Sequence, residues 1–179
     1  MKILKSLLIG LISIVAILLI AALFVKKDFA VEREITINKP KQEVFDYLKY
    51  LKNQNNFSVW AKKDPAMKKT FIGTDGTVGF ISAWDSESKD VGKGEQEIKA
   101  IKDGERLDYE IRFKVPFEAT NFSFLTTESV SDSQTKVKWG FYGKSQYPFN
   151  LMMAVMDMDK TVGGDLQNGL ANLKALLEQ

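Results

Sequence analysis

The chain has 179 residues, with 25 Lys and Arg against 23 Asp and Glu, and it contains no histidine and no cysteine. This length suits one domain of ordinary size with a short additional segment. Without cysteine there is no thiolate nucleophile, disulfide or cysteine-ligated metal site, and without histidine there is no Ser-His-Asp triad or histidine-ligated metal. The composition therefore favours binding over catalysis, and no cofactor is expected. Any catalysis would depend on carboxylate, Lys, Tyr, Ser or Thr side chains.

The N-terminal segment is predicted to be a single transmembrane anchor. No charged residue interrupts the nineteen residues Leu7–Val25, which as a helix would be about 28 Å long, close to the thickness of the hydrocarbon core of a bilayer. The alternative is a cleaved signal peptide, which requires a shorter apolar stretch and a cleavage site with two small residues. Neither Ala22 nor Ala30 has a small residue two positions before it, so an uncleaved anchor over residues 1–29 is favoured.

The charges divide unevenly between this segment and the rest of the chain. The first 29 residues carry four lysines and one aspartate, whereas residues 30–179 carry 21 basic and 22 acidic side chains. A nucleic-acid-binding domain is expected to have a basic surface, so no nucleic-acid partner is expected for the domain at residues 30–179. Lysines flank the apolar segment on both sides, and their distribution slightly favours a single-pass protein whose domain lies outside the cytoplasm.

In chain order, the domain is predicted to begin with a strand at Ala30–Ile37, along which apolar and polar residues alternate. Asn38 is predicted to cap an amphipathic helix that begins near Pro40 and ends near Leu51. A short second helix or turn is expected around Trp60.

Five or six strands follow, separated by turn sequences, and a long helix is predicted over Asn150–Leu177. Alternation along the strands places one set of residues on the apolar, inward side. That set comprises Phe80, Ser82, Trp84, Gln96, Tyr109, Ile111, Phe113, Phe122, Phe124, Thr126, Trp139 and Phe141. The order of strand, helix pair, antiparallel meander and long C-terminal helix indicates an α+β fold in which a curved sheet wraps around one helix.

Several stretches carry a resemblance to a known family. They are Ile35–Pro40 with Val44–Leu48, residues 116–120 and 137–140, and Asp157–Lys160 with Gly163 and residues 169–174. In these stretches the chain resembles the SRPBCC or START-like superfamily, which includes polyketide cyclases, dehydrases and lipid-transport proteins. The resemblance covers about residues 30–178 and implies a helix-grip fold with a deep cavity between the sheet and the C-terminal helix. It also implies an apolar ligand such as a lipid, a quinone or a polyketide-like molecule. The superfamily shares no catalytic motif, so no catalytic residue is carried over.

The inward residues of the sheet are therefore the candidate ligand-binding residues, with an alternative in which their rings fill the core and leave no cavity. Met152 and Met156 join them from a cluster of four methionines at the start of the C-terminal helix. Flexible thioethers suit varied apolar ligands, although ordinary core packing explains such a cluster equally well. Gly163 and Gly164 interrupt this helix and indicate either close approach of a strand or room for a ligand. Glu128 falls on the predicted inner side, but a position at a strand end, open to water, is favoured over a role as a general acid.

Six lysines within 21 residues form a basic cluster: Lys49, Lys52, Lys62, Lys63, Lys68 and Lys69. In a membrane-tethered domain such a cluster could bind anionic headgroups, with Trp60 at the interface. A solvated helix face with Trp60 packed inward is favoured.

Three functions follow, of which the first is favoured. The leading hypothesis is a membrane-tethered START-like module that binds a hydrophobic small molecule in an internal cavity. The second is a cyclase- or dehydratase-like enzyme that uses Tyr109 or a carboxylate for proton transfer. The third is an interaction domain whose pocket has collapsed.

Overall fold

The computed structural model describes residues 2–155 and 157–179. Its helices are α1 Lys2–Phe24, α2 Lys41–Lys49, α3 Gln54–Phe57, α4 Val59–Lys62, α5 Leu151–Val155 and α6 Met158–Leu177. Its strands are β1 Asp28–Ile37, β2 Lys68–Ile72, β3 Ile81–Asp85, β4 Lys93–Lys102, β5 Arg106–Val115, β6 Ala119–Ser131 and β7 Gln134–Lys144. A 3₁₀ turn, Leu51–Asn53, connects α2 to α3.

The strands form one antiparallel sheet in the order β1-β7-β6-β5-β4-β3-β2. Helix α6 packs across one face of the sheet, mainly against β1, and we call this the inner face and the opposite one the outer face. A curved antiparallel sheet around a long C-terminal helix confirms the predicted helix-grip fold.

The antiparallel pairing collects the strand ends at two ends of the sheet. The end that we call the anchored end holds the start of β1, which follows α1 after three residues, and the end of β7, since Asp28 pairs with Lys144. The starts of β2, β4 and β6 and the ends of β3 and β5 lie there too. We call the opposite end the far end. Helix α6 begins at the anchored end and runs toward the far end.

The far half of the domain is a filled core. Its side chains come from α2, from the far halves of the strands and from the second half of α6, and each is at most 1% exposed. They include Val44, Phe45, Leu48, Phe80, Ile98, Leu107, Leu125, Val137, Leu170 and Leu173. Burial of this much apolar surface is the main force that holds the sheet against α2 and α6.

The domain holds the end of α1. The side-chain nitrogen of Asn150 donates to the carbonyl of Ala22 at 2.6 Å and to that of Val25 at 3.0 Å, which satisfies carbonyls that a helix end leaves free. Ala22 is fully buried, and α5 packs beside the last turn of α1. The 22 residues Ile3–Phe24 form a helix long and apolar enough to cross a membrane, and most of their large side chains are exposed.

Two predictions about the helices are wrong. The helix predicted over Asn150–Leu177 is divided into α5 and α6, because Asp157 caps α6 by accepting a hydrogen bond from the backbone N–H of Lys160 at 2.9 Å. Asn38 does not cap α2. The N-cap position belongs to Pro40, and the side chain of Asn38 accepts a hydrogen bond from a β7 residue instead.

The predicted inner side of β6 is also wrong. Tyr109, a buried inner residue of β5, pairs with Ser123, so the odd-numbered residues of β6 face inward and the even-numbered ones outward. The predicted ligand-binding residues that consequently lie on the outer face are Phe122, Phe124 and Thr126. Two of the outer-facing side chains of β6 are aromatic rings, and both contact neighbours on that face. Phe122 stacks on Tyr142, with ring centroids 5.5 Å apart, and the guanidinium of Arg106 lies 4.2 Å from the centre of the Phe124 ring.

Candidate ligand-binding site

A cavity of about 230 Å³ lies in the anchored half of the domain. It is bounded by the inner face of the sheet, by the segment from α3 to β2, and by the first half of α6. Its sheet wall consists of Lys69, Ser82, Ala83, Trp84, Gln96, Ile111, Phe113, Ser123, Trp139 and Phe141. Its opposite wall includes Gln54, Ser58, Trp60, Met67, Val162 and Leu166.

All three tryptophans of the chain line this cavity. Trp60 packs edge-on against Trp139, with ring centroids 6.0 Å apart. Trp84 lies across Gly94 on the neighbouring strand, where any side chain would collide with the indole ring. Each indole is therefore held by a neighbour, and the cavity has rigid aromatic walls.

The few polar groups in the wall differ in how their hydrogen bonds are satisfied. The hydroxyl of Ser123 already has hydrogen-bond partners, because it donates to the carbonyl of Gly140 at 2.8 Å and accepts from the indole N–H of Trp139 at 3.1 Å. Gln54 is only 8% exposed, and its side-chain nitrogen lies near the buried hydroxyl of Tyr109, but neither group makes a hydrogen bond of normal geometry with the residues that the structure describes. An unsatisfied buried donor costs about 1–3 kcal/mol. The amide of Gln54 is therefore the group that a ligand oxygen would satisfy.

Tyr109 lies in the core and is not part of the cavity wall. Burial raises the pKa of its hydroxyl well above the ordinary value, and the neighbouring side chain of Gln54 opposes this only in part. The hydroxyl therefore stays protonated near neutral pH and cannot serve there as a tyrosinate base. This placement counts against Tyr109 as the proton-transfer group of an enzyme.

Seven of the predicted ligand-binding residues lie together in the wall of the cavity. That they bind a ligand stays a prediction. Those in the cavity wall are Ser82, Trp84, Gln96, Ile111, Phe113, Trp139 and Phe141. Phe80 is a core residue, like Tyr109, and three predicted residues of β6 lie on the outer face. Met152 lines a different pocket, described below, and Met156 lies outside the described residues.

Most of the wall opposite the sheet is not among the residues predicted from the sequence. Val162 and Leu166 belong to the predicted apolar face of the C-terminal helix, but Gln54 and Ser58 lie between the helix predicted to end near Leu51 and the short helix or turn expected around Trp60. Their segment is brought to α6 by tertiary contacts such as the hydrogen bond from the side chain of Asn172 to the carbonyl of Phe57, at 3.0 Å. No local sequence signal indicates this contact.

Of the two charged features proposed from the sequence, Glu128 lies outside the cavity wall, whereas Lys69 of the basic cluster belongs to it. Glu128 is exposed on the outer face and forms an ion pair with Lys136 at 2.6 Å, which confirms the prediction that water reaches it. In the basic cluster, Lys63 pairs with Asp165 at 2.9 Å, and the inward packing of Trp60 is confirmed. Within residues 2–155 and 157–179, no three acidic side chains are arranged to hold a metal ion.

Of the two glycines of α6 singled out in the sequence, Gly163 serves close packing, one of the two predicted alternatives. A side chain at Gly163 would collide with Arg33 of β1, whose guanidinium binds both carboxylate oxygens of Asp159 at 2.8–2.9 Å. Gly169 is packed against the ring of Trp139 in the same way, whereas the space around Gly164 is open. Close approach at Gly163 and Gly169 lets α6 hold β1 and the tryptophan wall of the cavity.

A second, more open pocket lies at the anchored end, and we call it the groove. Its volume is about 1640 Å³, and it is bounded by the start of β1, the loop between β5 and β6, the end of β7, and α5. Its wall continues onto the outer face of the sheet, where it includes the predicted residues Phe122 and Phe124 and the charged side chains of Arg112 and Lys114. Phe113 and Phe141 belong to the walls of both the groove and the cavity. The rings of Phe117 and Phe149 meet at 6.0 Å on its rim.

Comparison with known families agrees with this architecture. Residues 28–178 match the family described as polyketide cyclase / dehydrase and lipid transport. The chain belongs to this family. Its membership confirms the SRPBCC resemblance and supports a ligand-binding module as the general class of the domain. A comparison with curated protein sequences gives no match.

Solved structures show the same fold at low sequence identity. A protein from Nitrosospira multiformis is similar with 20% identity and a TM-score of 0.56, covering 82% of this chain and 94% of its own. A protein from Bacillus thuringiensis has 16% identity and a TM-score of 0.59, covering 84% and 100% respectively. The Aha1 dimer from Colwellia psychrerythraea has 14% identity and a TM-score of 0.57, covering 84% and 96%. These likenesses concern the fold alone.

Proposed function

We propose that this protein is a membrane-tethered module that binds a small hydrophobic molecule, or the apolar part of a larger one, in the cavity of its anchored half. The cavity carries the proposal, because it combines apolar walls with one buried, unpartnered amide. In this proposal residues 1–29 are the anchor and residues 30–179 are the binding domain.

The volume of the cavity limits the size of the ligand. An engineered apolar cavity of about 150 Å³ binds benzene, so a volume of about 230 Å³ suits a molecule about one and a half times as large. Sites for drug-sized ligands start near 300 Å³. A whole lipid or quinone would therefore have to extend beyond the cavity, and the groove that shares Phe113 and Phe141 is the space available to it.

The position of Gln54 indicates the chemistry of the ligand. Its free N–H groups require an acceptor, so the favoured ligand carries a carbonyl, hydroxyl or ether oxygen at the end that enters the cavity. Such a bond is expected to contribute about 0.5–1.5 kcal/mol to binding. Binding is favoured over the collapsed-pocket alternative because the cavity is open, and over tyrosine-based catalysis because Tyr109 lies outside the wall.

The test compares a ketone with a hydrocarbon of nearly the same shape. Acetophenone and ethylbenzene are titrated into the full chain in detergent micelles by isothermal titration calorimetry. We expect the native chain to bind the ketone about 2- to 10-fold more tightly. The variant Gln54→Leu is expected to lose this preference while it still binds the hydrocarbon.

Gln42→Leu is the matched control, because Gln42 is exposed on α2, outside the cavity wall, and this variant should keep the preference for the ketone. Failure of the native chain to bind either compound would contradict the proposed function. An unchanged preference in Gln54→Leu would leave binding intact but remove Gln54 from ligand recognition.

A further inference from the structure

Exposed apolar side chains crowd the anchored end of the domain. They lie at the end of β5 and in the loop that follows it, in the loop after β7, and on α5, with exposures between 41% and 84%. We call this set the apolar collar: Val115, Phe117, Tyr147, Phe149, Met152 and Val155. Large apolar patches on a protein surface mark a binding partner, and the position of the collar relative to α1 indicates which one.

Helix α5 lies beside the last turn of α1, not beyond it. Asn150, directly before α5, binds the carbonyls of Ala22 and Val25, and Ala22 is buried in the contact. If α1 spans a bilayer, as the proposed function requires, α5 is then level with the end of the apolar span. If the anchored end did not contact the bilayer, the side chain of Val155, which is 84% exposed, would face water at the level where α1 ends.

The length of the chain between α1 and the sheet leads to the same position. The helix Ile3–Phe24 is about 33 Å long against a hydrocarbon core of about 30 Å, so Phe24 lies near the core boundary. Three residues separate it from β1, which therefore starts at most about 14 Å away. A headgroup layer is roughly 5–8 Å thick. The anchored end of the sheet accordingly lies in or on this layer, where aromatic side chains are favoured.

We propose that the apolar collar is inserted in the headgroup layer of the bilayer that α1 spans, so that the groove opens to lipid and not to water. Phe113 and Phe141, which belong to both walls, would then separate the membrane from the cavity. The ligand of the proposed function would enter from the bilayer and stay shielded from water. Lys26 and Lys27, both exposed after the span, suit contact with anionic headgroups.

The absence of cysteine from the chain permits a direct test. Single cysteines at Phe117, Met152, Phe24 and Val130 are labelled with a polarity-sensitive nitrobenzoxadiazole dye in the full chain, reconstituted in vesicles that contain spin-labelled phospholipid. Phe117 and Val130 are matched, since they are 65% and 56% exposed, but Val130 lies near the far end. We expect labels at Phe117 and Met152 to lose most of their emission, as the label at Phe24 does, and the label at Val130 to keep nearly all of its emission.

The quenching of the label at Phe24 distinguishes failure of the inserted collar from failure of the membrane tether. If this label is quenched but those at Phe117 and Met152 are quenched no more than the label at Val130, the inserted collar is wrong and the tether stands. If the label at Phe24 is not quenched either, α1 is not in the bilayer, and both the tether and the inserted collar are wrong. Ligand binding in the cavity, measured by titration, is independent of both outcomes.

Discussion

The two halves of the domain are built from the same strands but differ in their interiors. In the far half, rings and aliphatic side chains from α2, the sheet and α6 close together, and Phe80, Ile98 and Leu170 are at most 1% exposed. In the anchored half, α3 and α4 replace α2 over the sheet, and about 230 Å³ remains open between Trp84, Trp60 and their neighbours. Strands β5 and β7 cross from one half to the other without a change in their alternation, whereas β4 has a register shift between Ile98 and Ala100.

This difference teaches that alternation alone does not distinguish a core from a binding site. Tyr109 and Ile111 are both inner residues of β5, yet Tyr109 is core and Ile111 lines the cavity. Whether an inner residue belongs to the core or lines the cavity depends on which helices cover that part of the sheet. A side chain in the far half stabilises the fold directly, whereas one in the anchored half is held by rigid neighbours at the edge of a void.

Truncating a ring in each half should therefore have unequal effects on stability. Phe80→Ala removes a ring that is 1% exposed and is expected to lower the free energy of unfolding by about 3–5 kcal/mol. Phe113→Ala removes a half-buried ring beside existing space and is expected to cost about 1 kcal/mol. Urea unfolding of the full chain in micelles, followed by tryptophan fluorescence, measures both. Equal losses would contradict the distinction between the two halves.

The register of β6 shows why the sequence predicts the fold better than the site. Along β5 the alternation of charged and apolar residues is unambiguous, and the predicted inner residues Tyr109 and Ile111 are placed correctly. Along β6 the larger rings lie on the outer face, while the inner position opposite Tyr109 is the small Ser123. Ring size therefore predicts the wrong side, and only pairing with β5 decides it.

The segment around Gln54 and the edge strand β2 show a second limit. Lys68–Ile72 mixes lysines with a threonine and two apolar residues, a pattern without a clear periodicity, and it is not among the predicted strands. Gln54 follows a helix break, and its burial depends on α6, more than a hundred residues later in the chain. Elements with a strong period are predictable, but a wall assembled from short, irregular segments is not.

Two glycines of α6 offer a smaller test of how the cavity wall is packed. Gly164→Ala adds a methyl group into open space and should raise the free energy of unfolding by about 1 kcal/mol through helix propensity. Gly169→Ala would place its Cβ 2.7 Å from the Trp139 ring and is expected to lower the free energy of unfolding by about 1–3 kcal/mol, as overpacking does. Thermal unfolding of the two variants gives the signs. Stabilisation by both would show that Trp139 moves freely and that the cavity wall is not rigid.

The smallest expected effect concerns a network of ion pairs on the outer face of the sheet, away from both the core and the cavity. Arg112 donates to Glu95 and Glu97 at 2.7 Å, and Lys114 also binds Glu95. Hydrogen bonds from Lys114 and Arg112 lower the pKa of Glu95, and one from Arg112 lowers that of Glu97.

Both carboxyl groups have lower pKa values in the folded chain than in the unfolded chain. Their contribution to the free energy of unfolding is therefore fully present above the ordinary glutamate pKa of about 4.3, and it is lost as the pH falls through the folded values. We expect a loss of about 1 kcal/mol or less, measured by urea unfolding between neutral and acid pH. Arg112→Met should flatten this dependence. A steeper dependence in that variant would contradict the assignment.

The central claim, that the cavity in the anchored half binds a hydrophobic small molecule, is tested most directly by native mass spectrometry of the full chain released from detergent micelles. Ser82→Phe fills the cavity from its sheet wall, and Thr126→Phe adds the same ring on the outer face as the matched control. We predict a discrete adduct of an apolar small molecule on the native chain and on Thr126→Phe, and its absence from Ser82→Phe. An adduct that persists in Ser82→Phe, or a native chain that carries none and takes up no added hydrophobic compound, would contradict the claim.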